Sequence, residues 1–292
     1  MSIEYSIIIP CFNEEQIIQE VISNLKAFLA EQFKASHEII VVDDCSTDNT
    51  KEILIKIEGI RVIRHPINRG YGASIKTGIH HARGVFVATY DGDGQHNPAD
   101  LLRLCQKIHS EDWALVVGAR TKLLHSSLWR MPGKWVLGWL ANFLSRTKIP
   151  DLNSGLRVFR KEIISRYLHL CADRFSFSTT STLILLNRGY SLAFLPIEIS
   201  HRHGKSTVSV MTGYETVLLI IRIACLFDPL RVFIPASVIL VLIGTIHALY
   251  PFFFLNRGLT TGSVMVILSG ILVFFFGILA DQISALRKEK YE

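Results

Sequence analysis

The 292-residue chain is poor in cysteine: Cys11, Cys45, Cys105, Cys171 and Cys225 are odd in number, widely spaced and form no Cys-x-x-Cys pair. This argues against a disulfide framework or a cysteine-based zinc site, and the five read as reduced thiols. Charge is also thin, at 19% of residues. The net charge of +6 is dispersed rather than gathered into a run, and no nucleic-acid-binding signature accompanies it, so no nucleic-acid partner is expected. Attraction to anionic lipid headgroups and phosphorylated substrates is the simpler source of that basic balance. The glycine-rich nucleotide fingerprints are missing as well. Gly70, Gly72 and Gly78 do not space as G-x-G-x-x-G, and no G-x-x-x-x-G-K-[ST] occurs, which argues against the dinucleotide and P-loop classes. Nor is there an internal repeat or a low-complexity tract. The N-terminus does not read as a signal peptide, because Glu4 interrupts it and the apolar run Ile7 to Ile9 stops at Pro10.

What is abundant is apolar residues, 49% of the chain, concentrated towards the C-terminus. Val232 to Leu255 is apolar except for Thr245 and His247, and Ser263 to Ala280 is apolar apart from its two serines. Each is near the roughly 20 residues a helix needs to cross a bilayer, the second at the short end. Neither has an amphipathic period, which separates them from a buried helical hairpin of a soluble core. Arg222 and Arg231 precede the pair, Arg287, Lys288 and Lys290 follow it, and the connector carries only Arg257. The positive-inside rule then places both chain ends in the cytoplasm. Met211 to Phe227, apolar but broken by Glu215 and Arg222, reads as a helix lying at the membrane interface. The expected organisation is an α/β domain over residues 1–208, an interfacial helix over 209–230, two spans over 231–286 and a cytoplasmic tail over 287–292. Gly244, Gly270 and Gly277 offer small surfaces on which spans of different protomers could pack, as in a homo-oligomer.

Residues 1 to about 125 alternate short apolar runs with helix-period segments, the pattern of a parallel sheet covered by helices. Strands are expected at Tyr5–Ile9, Glu38–Val42, Ile60–Arg64 and Val85–Tyr90, and helices at Glu15–Phe33, Asp48–Lys56 and Ala73–Ala82. Beyond Arg120 the periodicity weakens. Polar and acidic residues recur just past the strand ends, at Asn13-Glu14, Asp43-Asp44 and Asp91 to Asp93. In open α/β sheets that edge is where ligands bind, so one nucleotide-binding crevice can hold all three.

Asp91-Gly92-Asp93, with Gln95, is the most informative short segment. Two carboxylates and an amide oxygen at alternate positions suit Mg²⁺ or Mn²⁺, which take oxygen ligands and leave room for a diphosphate. On its own an Asp-Gly-Asp-Gly sequence is equally a plain turn.

Order adds information. Ile-Ile-Ile-Pro-Cys-Phe-Asn-Glu-Glu (7–15), Val-Val-Asp-Asp-Cys-Ser-Thr-Asp (41–48), Asn-Arg-Gly-Tyr-Gly-Ala (68–73), Asp-Gly-Asp-Gly-Gln (91–95), Gly-Ala-Arg (118–120) and Asp-Leu-Asn-Ser-Gly-Leu-Arg (151–157) together resemble the family 2 glycosyltransferases. Within that family the resemblance is nearest to the dolichyl-phosphate mannosyltransferase and bactoprenol glucosyltransferase group, and it covers about residues 5–206. It implies a GT-A fold, a single Rossmann-like α/β domain, and inverting transfer of one sugar from a GDP- or UDP-sugar to undecaprenyl or dolichyl phosphate. It further implies that Pro10, Asn13, Glu14, Asp43 and Asp44 meet the base and ribose, that Asp91, Asp93 and Gln95 hold the metal and diphosphate, and that Arg120 and Ser154 meet the acceptor phosphate. His-Arg-His-Gly-Lys-Ser (201–206) is similar to the family's basic loop R-x-x-G-x-S, but one residue tighter, so that His201 competes with Arg202 for the basic slot. Pro150 stands where some members carry an arginine, for which Arg157 is a substitute unless it is a surface charge. The Q-x-x-R-W motif of the processive synthases is absent, which disfavours a polymerase.

Elementary chemistry agrees with a phosphate acceptor. A phosphate monoester is already anionic at neutral pH, so it needs alignment and charge neutralisation more than a general base. Arg120, Arg202 and Lys205 are candidates for that work, since an arginine fork pairs bidentately with phosphate oxygens. Tyr71 and Lys76 are candidates for the diphosphate, with packing or solvation the alternative. Two other readings remain at this level: transfer to another lipid such as diacylglycerol or ceramide, and a membrane scaffold that keeps the fold without turnover.

Overall fold

The computed structural model describes residues 3–120, 149–174, 176–199, 228–255 and 260–291. The chain forms two compact units, Met1–Thr216 and Val217–Glu292. The basic loop 201–206 and the expected interfacial helix, but for its last residues, lie outside the described residues.

The first unit is built on seven strands: β1 Tyr5–Cys11, β2 His37–Asp43, β3 Arg61–Arg64, β4 Phe86–Thr89, β5 Leu115–Arg120, β6 Arg157–Arg160 and β7 Leu192–Ile197. Among the described residues six α-helices accompany them: α1 Ile18–Gln32, α2 Thr50–Ile55, α3 Tyr71–His81, α4 Pro98–Ser110, α5 Lys161–Tyr167 and α6 Phe177–Asn187. The sheet order is β3-β2-β1-β4-β6-β5-β7. The β3-β2-β1-β4 half is parallel throughout, as the βα alternation predicts. The sheet as a whole is mixed, because β6 runs antiparallel between β4 and β5. The parallel pattern read for residues 1 to about 125 holds over β1 to β4, and the reversed strand is β6, beyond Arg120 where the periodicity weakens. The chain leaves β5 at Arg120 and re-enters at Arg157, and entering from the same edge it left forces the reversed direction.

Central β1 is buried along its whole length, with Ile7, Ile8 and Ile9 fully enclosed. Such runs, apolar on both faces, are what a strand covered by helices on both sides requires. Each of these isoleucines contributes about 1.5–3 kcal/mol of burial. Residues of α1 at helical spacing, Ile18, Val21, Ile22, Leu25 and Leu29, close one face of this core. Chain order β1-β2-β3 runs one way from β1 and then jumps back to β4 on its other side, so the switch point lies between β1 and β4, where such sheets bind ligands. The loops after β1, β2 and β4 open at that edge.

In the second unit, α7 Leu230–Leu255 and α8 Thr261–Tyr291 form a helical hairpin. Their apolar windows, Leu230–Tyr250 and Thr261–Leu286, are each long and apolar enough to cross a membrane. The second window runs past the uniformly apolar stretch that closes at Ala280, through Asp281 and Gln282, to Leu286. Large side chains such as Ile246, Phe253, Met265, Leu272 and Phe276 are exposed, so the hairpin's own packing does not explain them. Gly244, Gly270 and Gly277 are spent inside the hairpin rather than on its outside. A Cβ at these positions would lie 2.7 Å from Ile267, 2.7 Å from Val241 and 2.6 Å from Phe233. The glycines singled out for packing between protomers thus let two helices of one chain approach closely. Gly270→Leu is expected to cost about 1–3 kcal/mol by overpacking, read as a lower melting temperature of the detergent-solubilised protein. Gly262→Leu is the unaffected control, since a Cβ there meets nothing within 4 Å.

Candidate active site

Two loops at the switch point are hydrogen-bonded to each other along their length. Asn13, with φ at 56°, accepts the backbone N–H of Thr47 on its Oδ1 at 2.8 Å, and its own N–H donates to Ser46 Oγ at 3.0 Å. Glu14 N–H donates to Thr50 Oγ1, and Glu15 accepts both the backbone and side-chain N–H of Asn49 at 2.9 Å. The side-chain oxygen of Asn13 thus fixes the wall of the crevice.

The neighbouring carboxylates at the end of β2 have different surroundings. Asp44 is buried and saturated: it accepts the N–H of Arg69 at 2.9 Å and of Gly70 at 2.7 Å, and His65 Nδ1 lies 2.7 Å from its Oδ1. His65 Nε2 continues to Thr77 Oγ1 at 2.8 Å. Asp44 therefore holds the 68–70 loop at the start of α3. Asp43 accepts the Ser46 N–H on Oδ1, while its Oδ2 is buried without a hydrogen bond and faces Arg64 Nε at 3.3 Å. Of the pair, Asp43 is the one that keeps an acceptor in reserve.

Past β4, Asp91 receives the Tyr71 hydroxyl on Oδ1 at 2.9 Å, and His96 Nε2 stands 3.2 Å from its Oδ2. Donation from His96 requires the Nε2–H tautomer. Burial drives the Asp91 pKa up, but the His96 contact, the Tyr71 hydroxyl and the Arg120 charge outweigh it and hold the carboxyl below its ordinary value. Asp93 Oδ1 accepts the Gln95 N–H at 3.2 Å. Lys76 points elsewhere, to Asp173 at 2.6 Å and the Cys171 carbonyl.

The loop before β6 presses on Asp91 from the other side. A Cβ on Gly155 would lie 2.0 Å from Asp91 Oδ2, so only glycine fits there, and the Gly155 carbonyl accepts the Thr89 hydroxyl at 2.5 Å. In the same loop Asp151 grips Arg120 bidentately, Nε to Oδ2 at 2.6 Å and Nη2 to Oδ1 at 2.9 Å. Burial again raises the Asp151 pKa, and the Arg120 fork together with the Asn153 and Arg120 N–H groups lowers it overall. Ser154 is buried, with an Oγ that has no hydrogen-bond partner.

Arg157 needs a correction. It was expected as a phosphate contact or a surface charge, yet it is wholly enclosed, and its guanidinium is taken up by Ser154 O, Leu152 O and Thr182 Oγ1. A phosphate cannot reach a side chain with no accessible surface. The structure brings Pro10, Asn13, Glu14, Asp43, Asp44, Asp91, Asp93, Gln95, Arg120 and Ser154 to loops or strand ends of this edge. Arg202 and Lys205 lie outside the described residues. Residue-by-residue reading missed His65, His96, Asp151 and Gly155 as parts of the site, although each sits within or beside a quoted motif.

Glycosyl transferase family 2 matches residues 6–168, more than half of the chain, and the GtrB C-terminal hairpin matches residues 228–286. The protein belongs to the family 2 glycosyltransferases, and it has the GT-A fold. Among similar proteins, an uncharacterised protein of Methanocaldococcus jannaschii is 31% identical over 75% of this chain and 91% of its own length. The UDP-N-acetylglucosamine–dolichyl-phosphate N-acetylglucosaminyltransferase of Methanococcus voltae is 28% identical over 76% of this chain and 97% of its own. The dodecaprenyl-phosphate galacturonate synthase of Rhizobium johnstonii is 30% identical over 56% of this chain and 50% of its own. Glucosyl-3-phosphoglycerate synthase of Mycobacterium tuberculosis, solved with Mn²⁺, UDP and phosphoglyceric acid, superposes with a TM-score of 0.63 at 18% identity, covering 76% of this chain and 78% of that one. The chain thus falls among the family 2 enzymes whose relatives are polyprenyl-phosphate sugar transferases.

The Arg120–Asp151 pair sets a pH dependence of stability. Asp151 has a lowered pKa in the folded state, so its contribution is complete above the ordinary carboxylate value of about 4 and is lost as pH falls through the lower folded value. Asp151→Asn should therefore melt below the wild type at pH 7, with the gap closing as the solution is acidified below about pH 4. A gap that stays constant with pH would show that the pair does not carry the effect.

Proposed function

We propose that the protein transfers a single hexose-type sugar from a GDP- or UDP-sugar to a polyprenyl phosphate, undecaprenyl or dolichyl, with inversion and with Mg²⁺ or Mn²⁺, at the cytoplasmic face of a membrane. The observation that carries this reading is the contact of Gly155 with Asp91. It brings the carboxylate loop, suited to a nucleoside diphosphate, against the loop whose Asp151 and Ser154 accompany Arg120. Donor and acceptor phosphates then share one edge of the sheet. The apolar hairpin supports an acceptor whose isoprenoid tail stays in lipid, and the relatives named for dolichyl and dodecaprenyl phosphates support the class of acceptor.

The residues after β4 fit a divalent cation. Asp91 and Asp93 supply hard anionic oxygens and Gln95 an amide oxygen, and the lowered Asp91 pKa keeps that carboxylate charged. Among the described residues no three His, Cys, Asp or Glu side chains gather into a complete site, so the diphosphate oxygens would complete the coordination. When bound, the ion neutralises the departing nucleoside diphosphate. Both Asp91 oxygens already accept protein donors, yet an ionised carboxylate retains further lone pairs.

The remaining work falls to the chain's own groups. Asp43 and the zipped loops at 13–15 and 46–49 bound the pocket for base and ribose, with Pro10, Asn13, Glu14 and Asp44 fixing its walls. Arg120 and Ser154 align the acceptor phosphate, joined by Arg202 and Lys205 of the basic loop. An acceptor oxygen then forms its bond to the anomeric carbon as the bond to the diphosphate breaks on the opposite face. No proton need be removed first, since the second ionisation of such a phosphate lies near pH 6. Both chain ends lie in the cytoplasm by the distribution of Arg and Lys around the hairpin.

The test is transfer of radiolabelled sugar from a panel of GDP- and UDP-sugars to undecaprenyl phosphate, with and without Mn²⁺ or Mg²⁺. Asp93→Ala is expected to lower the metal-dependent rate by at least about 10²-fold. Tyr71→Phe, which takes one donor from Asp91, should cost about 10-fold. Absence of lipid-linked product with every donor, from a folded wild-type protein, would sink the reading.

A further inference from the structure

Arg157 is the largest fully buried side chain among the described residues, and it is used in a way the functional reading does not require. It begins β6, paired with Thr89 of β4 and Val117 of β5, so its backbone is fixed inside the sheet. From there the guanidinium folds back under the loop that precedes it. Nε donates to Ser154 O at 2.7 Å, Nη2 to Leu152 O at 2.8 Å and Nη1 to Thr182 Oγ1 at 2.7 Å. Among the described residues no carboxylate lies within ion-pair distance of it. A cation enclosed on neutral acceptors is expensive to desolvate, and an apolar residue of similar volume is often no worse for stability. Its presence there calls for something an apolar side chain cannot do.

The loop it holds supplies that reason. Residues 151–155 carry Asp151, which fixes the Arg120 fork, Asn153, whose Oδ1 accepts the Thr179 hydroxyl at 3.0 Å, Ser154 with its unpartnered Oγ, and Gly155 against Asp91. Two of the three Arg157 bonds end on carbonyls of this loop, and the third ties it to α6. We propose that Arg157 is the positioning residue of the acceptor side, a buried clamp that sets the 151–155 loop and through it the Arg120 fork and Ser154. Burial lowers its pKa to about 10, with Tyr71, Asp151 and Asp91 pulling it back up, so it stays charged at neutral pH. The planar fork matters as much as the charge, because three acceptors in different directions cannot be met by the single nitrogen of lysine.

This inference rests on the acceptor reading above, and its test separates the two. In the full-length protein in detergent, Arg157→Gln is expected to raise backbone amide exchange across 151–155 by about tenfold or more, with β1 and β2 unchanged. UDP or GDP affinity with Mn²⁺, by calorimetry, should stay within about twofold, while the KM for undecaprenyl phosphate rises by about tenfold and kcat changes less. Arg157→Lys should remain impaired. Should Arg157→Gln fail to fold, Thr182→Val removes one of the three acceptors and is expected to move the same readouts in the same direction by a smaller factor. Unchanged loop exchange, nucleotide affinity falling as far as acceptor affinity, or full rescue by lysine would each overturn the clamp. If the wild type transfers nothing to a polyprenyl phosphate, the functional reading fails alone, and loop exchange and nucleotide affinity still decide the clamp.

Discussion

Everything at the sheet edge depends on how Asp91 is held. A buried carboxylate is stable as an anion only if surrounding donors replace lost water, and here two donors and the space for the carboxylate come from three separate parts of the chain. The Tyr71 hydroxyl arrives from the first turn of α3, His96 from the loop before α4, and Gly155 yields the space into which the carboxylate fits. Tyr71 follows directly on Arg69 and Gly70, whose N–H groups are fixed by Asp44. The acid after β2 therefore helps to place the acid after β4, although the two never touch.

The adjacent Asp43 and Asp44 show why sequence alone cannot divide labour between like residues. The pattern Val-Val-Asp-Asp correctly marks a strand end at a ligand-binding edge. It does not say that Asp44 turns inward to three protein donors while Asp43 keeps an oxygen without a hydrogen bond. That division is decided by His65, Arg69 and Gly70, which come from beyond β3. Arg157 is the sharper case. Its spacing after Ser154 was readable, but an arginine's burial depends on strands β4 and β5 and helix α6 closing around it, and no local pattern records that. By contrast, β1 to β4 and both C-terminal helices were legible, because runs such as Ile7 to Ile9 and Val232 to Leu255 impose burial or lipid whatever the rest of the chain does. The antiparallel β6 was not, since a four-residue strand carries too little periodicity to state its direction.

Arg120 illustrates how a neighbouring carboxylate can order an arginine at a crevice. A free arginine fork at a crevice would sample many rotamers, and ordering it on binding would cost affinity. Asp151 holds the fork with two hydrogen bonds and is itself tied by the Asn153 N–H at 3.0 Å. The carboxylate offers the planar, bidentate geometry that a phosphate also presents. Arg120 is thereby ordered in advance, at the cost of part of its charge. Under the proposed function, that compromise would suit a dianionic acceptor, whose stronger field can share the arginine with a carboxylate that a weaker anion could not challenge. Selectivity for phosphate over carboxylate acceptors would then reside in Asp151 as much as in the arginine it holds.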